Sequence, residues 1–431
     1  MAVLKPFILL LALLFSGVAY AEIANELAEP ANNTINSIEI EGLEYSKARV
    51  ILRELPFAEG EKWQPEFAAI GERRVRNLGL FSEAHIMPPN AEGVVHIRVN
   101  DRWPLWLLPE ASRADNGATS AGLTLTEHNL WGLHHHLRLA MRRDTGKNFS
   151  GGNGTSYQSS YLWRRINDSN FGLDASMNRG TSIYDAYQNG VLSSSYLQDN
   201  QSWSAGVLYA LGPVPGEGWD VRLGFASNKS AYSLRSGPAL TDVVGLRRQS
   251  LQFSASFRMV DDHITWLTGT AIDYAADVAH QSLGSDINSY GQTISWRRHL
   301  DLGSQNTLGY RINAGLRTGN VLRDGLYDVG SRNQMRGYYP GELQGNAYIY
   351  GTLEGRHPLE INSNVQLVAF ADVGHVNRDG RSALGKSVVA GVGGGVRWTL
   401  RWLVNGTIRV DGAYGFATKK WRLYLGTGQA F

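Results

Sequence analysis

The chain has 431 residues, among them 49 glycines, 19 tyrosines, 12 tryptophans and no cysteine, and its formal net charge is +2. The missing cysteines exclude disulfide staples, thiolate catalysis and thiolate metal ligation. A balance this close to neutral, +1 once the segment holding Lys5 is removed, argues against a large polyanionic partner such as nucleic acid.

Met1 to Lys5 is a short n-region with one positive charge, Phe7 to Phe15 is apolar, and Ala19-Tyr20-Ala21 is a small-x-small cleavage site. Residues 1–21 therefore read as a secretory signal peptide, with Glu22 opening the mature chain. The apolar run is too short to span a bilayer, and no later segment resembles a transmembrane helix. Residues 22–34 are polar and read as a flexible leader. Residues 35–101 read as a small β-α-α-β-β unit. Ile38 and Ile40 alternate with Ser37 and Glu39, giving the first strand one apolar face. Ser46 is the expected N-cap of the first helix, with Val50, Ile51 and Leu55 on its inner stripe. Pro65 opens the second helix, Phe67, Ile70 and Leu78 face inward, and Gly79 stops it. Strands near 81–87 and over Val95, Ile97 and Val99 complete the unit.

From about Arg102 the pattern becomes short alternating segments separated by turns. Strands are expected near 103–110, 119–127, 133–142, 156–165, 170–179, 191–210 (one or two), 219–228, 249–258, 265–275, 289–298 and 305–317, with five more after residue 344. That makes about sixteen, plus or minus two, in a class where even numbers prevail. The late strands show the cleanest parity. Ile349, Leu353, Leu367, Val373, Val392, Val396, Ile408 and Val410 share apolar faces, while Glu354, Arg356, Asp372, Arg397, Arg409 and Asp411 share the opposite ones. The apolar faces would meet lipid and the charged faces line a lumen. Both signs occur there, unlike in a wide ion-selective pore. By composition alone a secreted β-sandwich stays open. The end of the chain decides for a membrane barrel. Trp421 to Phe431 reads as a strand that stops on an aromatic, with Leu423, Leu425, Thr427 and Gln429 on one face and Gly426 and Gly428 on the other. Soluble domains fray at their ends, whereas a barrel needs its last strand to pair with the first and remove the sheet edge.

Five segments carry a family resemblance, the first two as parts of one unit. Ile38-Glu39-Ile40-Glu41-Gly42-Leu43 with Asn77-Leu78-Gly79-Leu80-Phe81 looks like a POTRA opening strand and second-helix exit. Met335-Arg336-Gly337-Tyr338 looks like an RG[FY] motif on a long loop, Phe370-Ala371-Asp372-Val373-Gly374 like an F-x-D-x-G strand, and Leu423 to Phe431 like a closing strand. Together they resemble the BamA/TamA superfamily of outer-membrane assembly and secretion proteins. The resemblance implies one periplasmic POTRA-like domain over 35–101, a barrel of about sixteen strands over 102–431, and a loop folded into the barrel with Arg336 at its tip. It also implies an unfolded outer-membrane or secreted polypeptide as client, outer-membrane lipid as surroundings, and the cell's barrel-assembly machinery as reader of Leu423, Leu425, Gly428 and Phe431.

An arginine inside a barrel needs an acidic partner. Strand parity turns Asp372, Glu354 and Gly374 toward the lumen, so the expectation is an Arg336–Asp372 ion pair with Glu354 nearby. Gly337 would let the backbone pass close to the wall, and Tyr338 would pack there. Pro104 and Pro109 in the first strand cannot donate to a ladder, and glycines thin the last, so the seam reads as weak. The strand edges of the N-terminal unit could bind an extended client by β-augmentation. Other signals carry little chemistry. His134 and His136 would share a strand face without an acid cluster, Asp261-Asp262-His263 reads as a turn, and no Gly-x-Ser-x-Gly elbow exists. The chain is read as a non-enzymatic assembly or secretion barrel with no cofactor and no metal; a passive channel or structural barrel is the alternative.

Overall fold

Alternating oily and polar side chains build nearly everything in this computed structural model, which describes residues 34–113, 119–145, 154–188, 191–338, 341–377 and 388–427. The expected signal peptide, all but Thr34 of the leader, Gly428 and Phe431 lie outside the described residues.

The N-terminal unit places β1 (Ser37–Glu41), α1 (Ala48–Leu52), α2 (Glu66–Asn77), β2 (Phe81–Ile86) and β3 (Val94–Asp101) in that order. β3 is central. β1 joins it in parallel, Ile38 opposite Val95, and β2 in antiparallel, Ala84 opposite Val99. A helical return between parallel strands is what parallel pairing requires. Val50, Ile51, Val75, Phe81, Val95 and Ile97 form the core. The Ser46 expectation is corrected. Lys47 occupies the N-cap position without a side-chain cap bond, and α1 is only one turn long. The buried Ser46 hydroxyl instead donates to Asp101 at 3.0 Å, and Asp101 also accepts the backbone N–H groups of Glu44, Tyr45 and Ser46. One carboxylate thereby holds the turn that leads into α1.

Sixteen antiparallel strands follow. They are β4 (Leu105–Arg113), β5 (Thr119–Leu130), β6 (His135–Thr145), β7 (Gly154–Trp163), β8 (Phe171–Gln188), β9 (Val191–Ala210), β10 (Gly218–Ser236), β11 (Leu246–Asp262), β12 (Leu267–Ala279), β13 (Ser289–Asp301) and β14 (Thr307–Gly319). A loop carries the two-residue pieces β15 (Tyr327–Asp328) and β16 (Gln344–Gly345). β17 (Ala347–Leu359), β18 (Asn362–Val376), β19 (Val388–Thr399), β20 (Thr407–Gly415) and β21 (Lys420–Thr427) complete the wall. Residues 191–210 are one strand of 20 residues.

Side-chain parity runs along the wall. Ile349, Leu353, Leu367, Val373, Leu423 and Leu425 are exposed on the outside, while Gln366, Phe370, Arg397 and Asp411 are buried inside. This is the inversion expected of a chain whose solvent is hydrocarbon. β4 and β21 end the strand order and share no ladder among the described residues. Near that seam Trp103, just before β4, bridges in parallel to Leu403 in the turn between β19 and β20, and Trp106 of β4 donates to the Val404 carbonyl of the same turn at 2.7 Å. No described helix is long and apolar enough to cross a membrane.

Candidate functional site

Thr352 of β17 stands opposite Asp372 of β18, and Glu354 stands opposite Phe370. Period-two alternation therefore brings Glu354 and Asp372 to one patch of the inner wall. The loop between β14 and β17 enters the barrel and meets that patch. It is not structureless: Val329, Met335, Tyr338 and Leu343 pack with Tyr348, Tyr350, Val376 and Val389 as a small core of their own. β15 and β16 pair across the loop base, Tyr327 opposite Gly345.

Arg336 sits at the tip and is 1% exposed. Its Nε and Nη2 donate to the two Asp372 oxygens at 2.9 and 3.0 Å, and its backbone N–H donates to the same carboxylate at 3.0 Å. Nη1 donates to Glu354 at 2.5 Å, and the guanidinium carbon lies 3.4 Å from the centre of the Phe370 ring. Glu354 also accepts from Arg356 at 2.9 Å and has Arg397 at 3.8 Å, while Arg397 is bound to Asp411 at 2.5 Å. Burial opposes the Arg336 charge, but hydrogen bonding to Asp372 and the fields of Asp372 and Glu354 outweigh it and raise its pKa. A planar fork is needed to hold two carboxylates and stack on a ring at once, which lysine cannot do.

The neighbours of Arg336 explain the glycines. Gly337 has φ 94°, and a Cβ there would lie 2.8 Å from the Gly415 nitrogen. A Cβ on Gly374 would lie 2.8 Å from Tyr350 Cβ and 3.1 Å from the Met335 sulfur. The Tyr338 hydroxyl donates to the Ala390 carbonyl at 2.7 Å.

The loop also grips the closing strand, which the sequence reading did not anticipate. The Tyr424 hydroxyl accepts from the Gly337 N–H and donates to the Tyr338 carbonyl, both at 3.0 Å. Arg422 pairs with Glu342 at 2.8 Å, and Arg332 donates to the Leu425 carbonyl at 2.9 Å. Leu423 and Leu425 themselves face outward. Tyr424→Phe should cost about 1–3 kcal/mol, because it leaves the buried Gly337 N–H unsatisfied. Urea titration of the heat-modifiable form checks this.

A second expectation concerns the loop base. Burial raises the Asp328 carboxyl from 3.8 to about 6, against hydrogen bonds from Gly341 and Gly330. The folded loop thus prefers the protonated acid. Its contribution to stability is fullest below the unfolded value and is lost as pH rises through about 6. Proteolytic protection of the loop should fall across that window in the wild type and stay flat in Asp328→Asn.

The N-terminal unit is docked on the turns at one barrel mouth. Arg165 donates to the buried Glu54 at 3.0 Å, and Arg49 reaches Asp168 at 2.5 Å. Arg73 and Arg74 hold Glu217 at 3.0 and 2.9 Å. Arg76 contacts both Asp261 oxygens at 3.1 Å, and Val404 from the turn after β19 joins the unit's core. Asp261 is therefore an anchor, and the turn expectation is corrected: Asp261 and Asp262 are the last residues of β11, paired with Thr268 and Leu267, and only His263 lies in the turn, where it stacks on Trp266 at 3.8 Å. Among the histidines, the strand-face expectation is corrected: His134 lies in the turn with φ 60°, and β6 starts at His135. His135 shares a hydrogen bond of 2.7 Å with Tyr161. No group of three or more His, Asp or Glu among the described residues is arranged to hold a metal ion.

A profile of the Omp85 superfamily domain matches residues 129–431. The chain belongs to the Omp85 superfamily. The match takes in the Arg336 loop, its partners on β17 and β18, and the closing strand. Among curated proteins, an outer membrane protein assembly factor BamA from Neorickettsia risticii is 23% identical over 374 residues, covering 79% of this chain and 46% of the relative. The chain thus spans just under half that relative's length. Among solved structures, CdiB from Escherichia coli aligns with a TM-score of 0.62 at 14% identity, covering 92% of this chain and 74% of that one. CdiB from Acinetobacter baumannii gives 0.58 at 16% identity, with 91% and 73% covered. BamA from Haemophilus ducreyi lacking POTRA domains 1–3 gives 0.52 at 15% identity, with 91% and 83% covered. These likenesses concern the fold. This Omp85 protein shares the fold of BamA and CdiB.

Proposed function

We propose that the chain inserts or translocates polypeptide clients at the bacterial outer membrane, with the POTRA-like unit in the periplasm. The observation that carries the reading is the seam. β4 and β21 share no ladder among the described residues, while Tyr424, Arg422 and Leu425 hold β21 to the inner loop. A strand supported from within can leave its neighbour at the cost of few hydrogen bonds, and a client strand can take that place by β-augmentation. Arg336, Gly337, Tyr338, Glu354 and Asp372 keep the loop in position for this. The work comes from client folding, since no ATP is available at the outer membrane. Lipid beside the seam and the machinery that assembles the barrel itself are the other partners.

Cysteine pairs scanned between Leu105–Leu108 and Leu423–Thr427 are unambiguous in a chain without native cysteine. A seam locked by disulfide should leave the barrel folded and abolish client-dependent insertion into liposomes, with activity returning on reduction. Full activity with the lock closed would sink the proposal. Steady, client-independent currents in planar bilayers would favour the passive channel instead.

A further inference from the structure

One row of cross-strand neighbours changes character as it climbs the outer wall. Leu123 pairs with Met141, Met141 with Tyr157, Tyr157 with Arg179, Arg179 with Gln201, Gln201 with Lys229, and Lys229 with Arg247. All lie on the outward face, since the alternate residues Asp174, Arg222 and Gln252 bond to one another inside. Barrel strands tilt, so a row perpendicular to them rises through the membrane. Here it passes from leucine, methionine and tyrosine to arginine, glutamine, lysine and arginine.

The height of the change fits the edge of the hydrocarbon. Phe171 contacts Tyr209 at 4.7 Å and Trp219 contacts Phe257 at 5.4 Å, at the end nearer the N-terminal unit. Eight residues separate Phe171 from Arg179 and Tyr209 from Gln201. At about 3.3 Å per residue and about 40° of tilt that is roughly 20 Å of height, against an apolar band of about 25 Å. Trp203 and Phe225, in contact at 5.6 Å, lie just below the row.

Arg179, Lys229 and Arg247 are exposed, and none forms an ion pair among the described residues. Asp199 lies one rung further out on the same face, opposite Thr181 and Ala231. Asp286 accepts the backbone N–H of Arg247, at 2.6 Å, and among the described residues pairs with no guanidinium. Three cations and an amide on adjacent strands about 4.8 Å apart present a line of charge-assisted donors to the phosphate groups of neighbouring lipid headgroups. Scattered solvated charges would not align in register with the upper limit of an apolar band.

We propose that Arg179, Gln201, Lys229 and Arg247 form a docking row for the phosphorylated headgroups of outer-leaflet lipid. The leaflet assignment rests on the periplasmic placement of the N-terminal unit, since the row lies toward the opposite end of the barrel. The row spans β8 to β11, far from the seam in strand order. It pins the fixed wall to the membrane while β4 and β21 stay free to part.

The test uses full-length protein in nanodiscs of zwitterionic lipid doped with a phosphorylated glycolipid or its dephosphorylated form. Native mass spectrometry reads retained lipid. The protein should keep the phosphorylated form preferentially, and Arg179→Gln/Lys229→Gln/Arg247→Gln should weaken retention by at least about tenfold, as loss of charge-assisted contacts implies. Lys229→Arg should retain it, and the single Lys229→Gln should fall between, which serves if the triple variant assembles poorly. Equal retention of both lipid forms, or undiminished retention by the variants, overturns the site. Separately, Ser236→Cys should react with an impermeant maleimide on intact cells. Lack of labelling overturns the outer-leaflet placement, and with it the orientation, whatever the lipid result.

Discussion

Arg336→Ala is expected to destabilise the assembled barrel by about 3–5 kcal/mol, the cost of leaving a buried charge without its partner. The two carboxylates are not equally exposed to the loss. Glu354 keeps Arg356 at 2.9 Å and Arg397 at 3.8 Å. Asp372 loses two guanidinium bonds, and with the loop tip displaced it also loses the backbone N–H of residue 336. Asp372→Ala should therefore relieve much of the damage. In a double-mutant cycle the coupling should be a few kcal/mol, about the size measured for close charged pairs. Arg336→Lys should lie between wild type and alanine, since it keeps the charge but not the fork or the contact with Phe370. Urea unfolding followed by heat-modifiable mobility provides the readout. Additive losses in the double variant would show that the pair is no unit. The same variants should also free β21, because Gly337 and Tyr338 reach Tyr424 only while the tip is seated.

Much of this site is legible in the sequence for a simple reason. A bilayer demands oily residues on one face of every strand, so period two fixes which side Glu354 and Asp372 occupy. Once the wall is assigned, a conspicuous Arg-Gly-Tyr on the long loop has few places to discharge. What was not legible depends on structure without periodicity. Val329, Met335 and Leu343 form the loop's own core, yet their spacing matches neither helix nor strand. β8, β9 and β10 run on to Gln188, Val191 and Ser236 through serine, asparagine, glutamine and tyrosine. Above the apolar band the two faces differ little in hydropathy, so alternation fades while the ladder continues. Ser46 reads as a cap because caps are local, whereas Asp101, which takes its hydroxyl and its backbone N–H, lies 55 residues away. The docking of α2 is non-local too. Its arginines are plain in the sequence, but Glu217 and Asp261 become their partners only when the barrel closes beneath them.

That docked surface supports the second large expectation, release of the N-terminal unit by Arg165→Ala. The pairs in the contact differ in burial, and burial decides their worth. Arg49 and Asp168 have side chains 53% and 35% exposed, so Arg49→Ala should cost no more than about 1 kcal/mol. Arg165 and Glu54 are 8% and 4% exposed. Removing Arg165 leaves Glu54 inside with Arg53 at 3.6 Å as its nearest cation, together with an unpaired Arg53 carbonyl that Arg165 now serves at 2.6 Å. A cost of about 3–5 kcal/mol follows for the closed arrangement. Burial already raises the Glu54 pKa against the opposing field of Arg165, so Glu54 without that arginine would take up a proton more readily still. Undocking restores water to the carboxylate and avoids both penalties, so the equilibrium should shift toward the open mouth. Hydrogen exchange over Glu66–Asn77, where Arg73, Arg74 and Arg76 grip the turns, should rise in Arg165→Ala and stay near wild type in Arg49→Ala. Brief openings in planar bilayers should become more frequent in the first variant alone. Equal behaviour of the two variants would mean that the buried pair does not hold the mouth shut, and that closure rests on the apolar seat of Val404 in the unit's core.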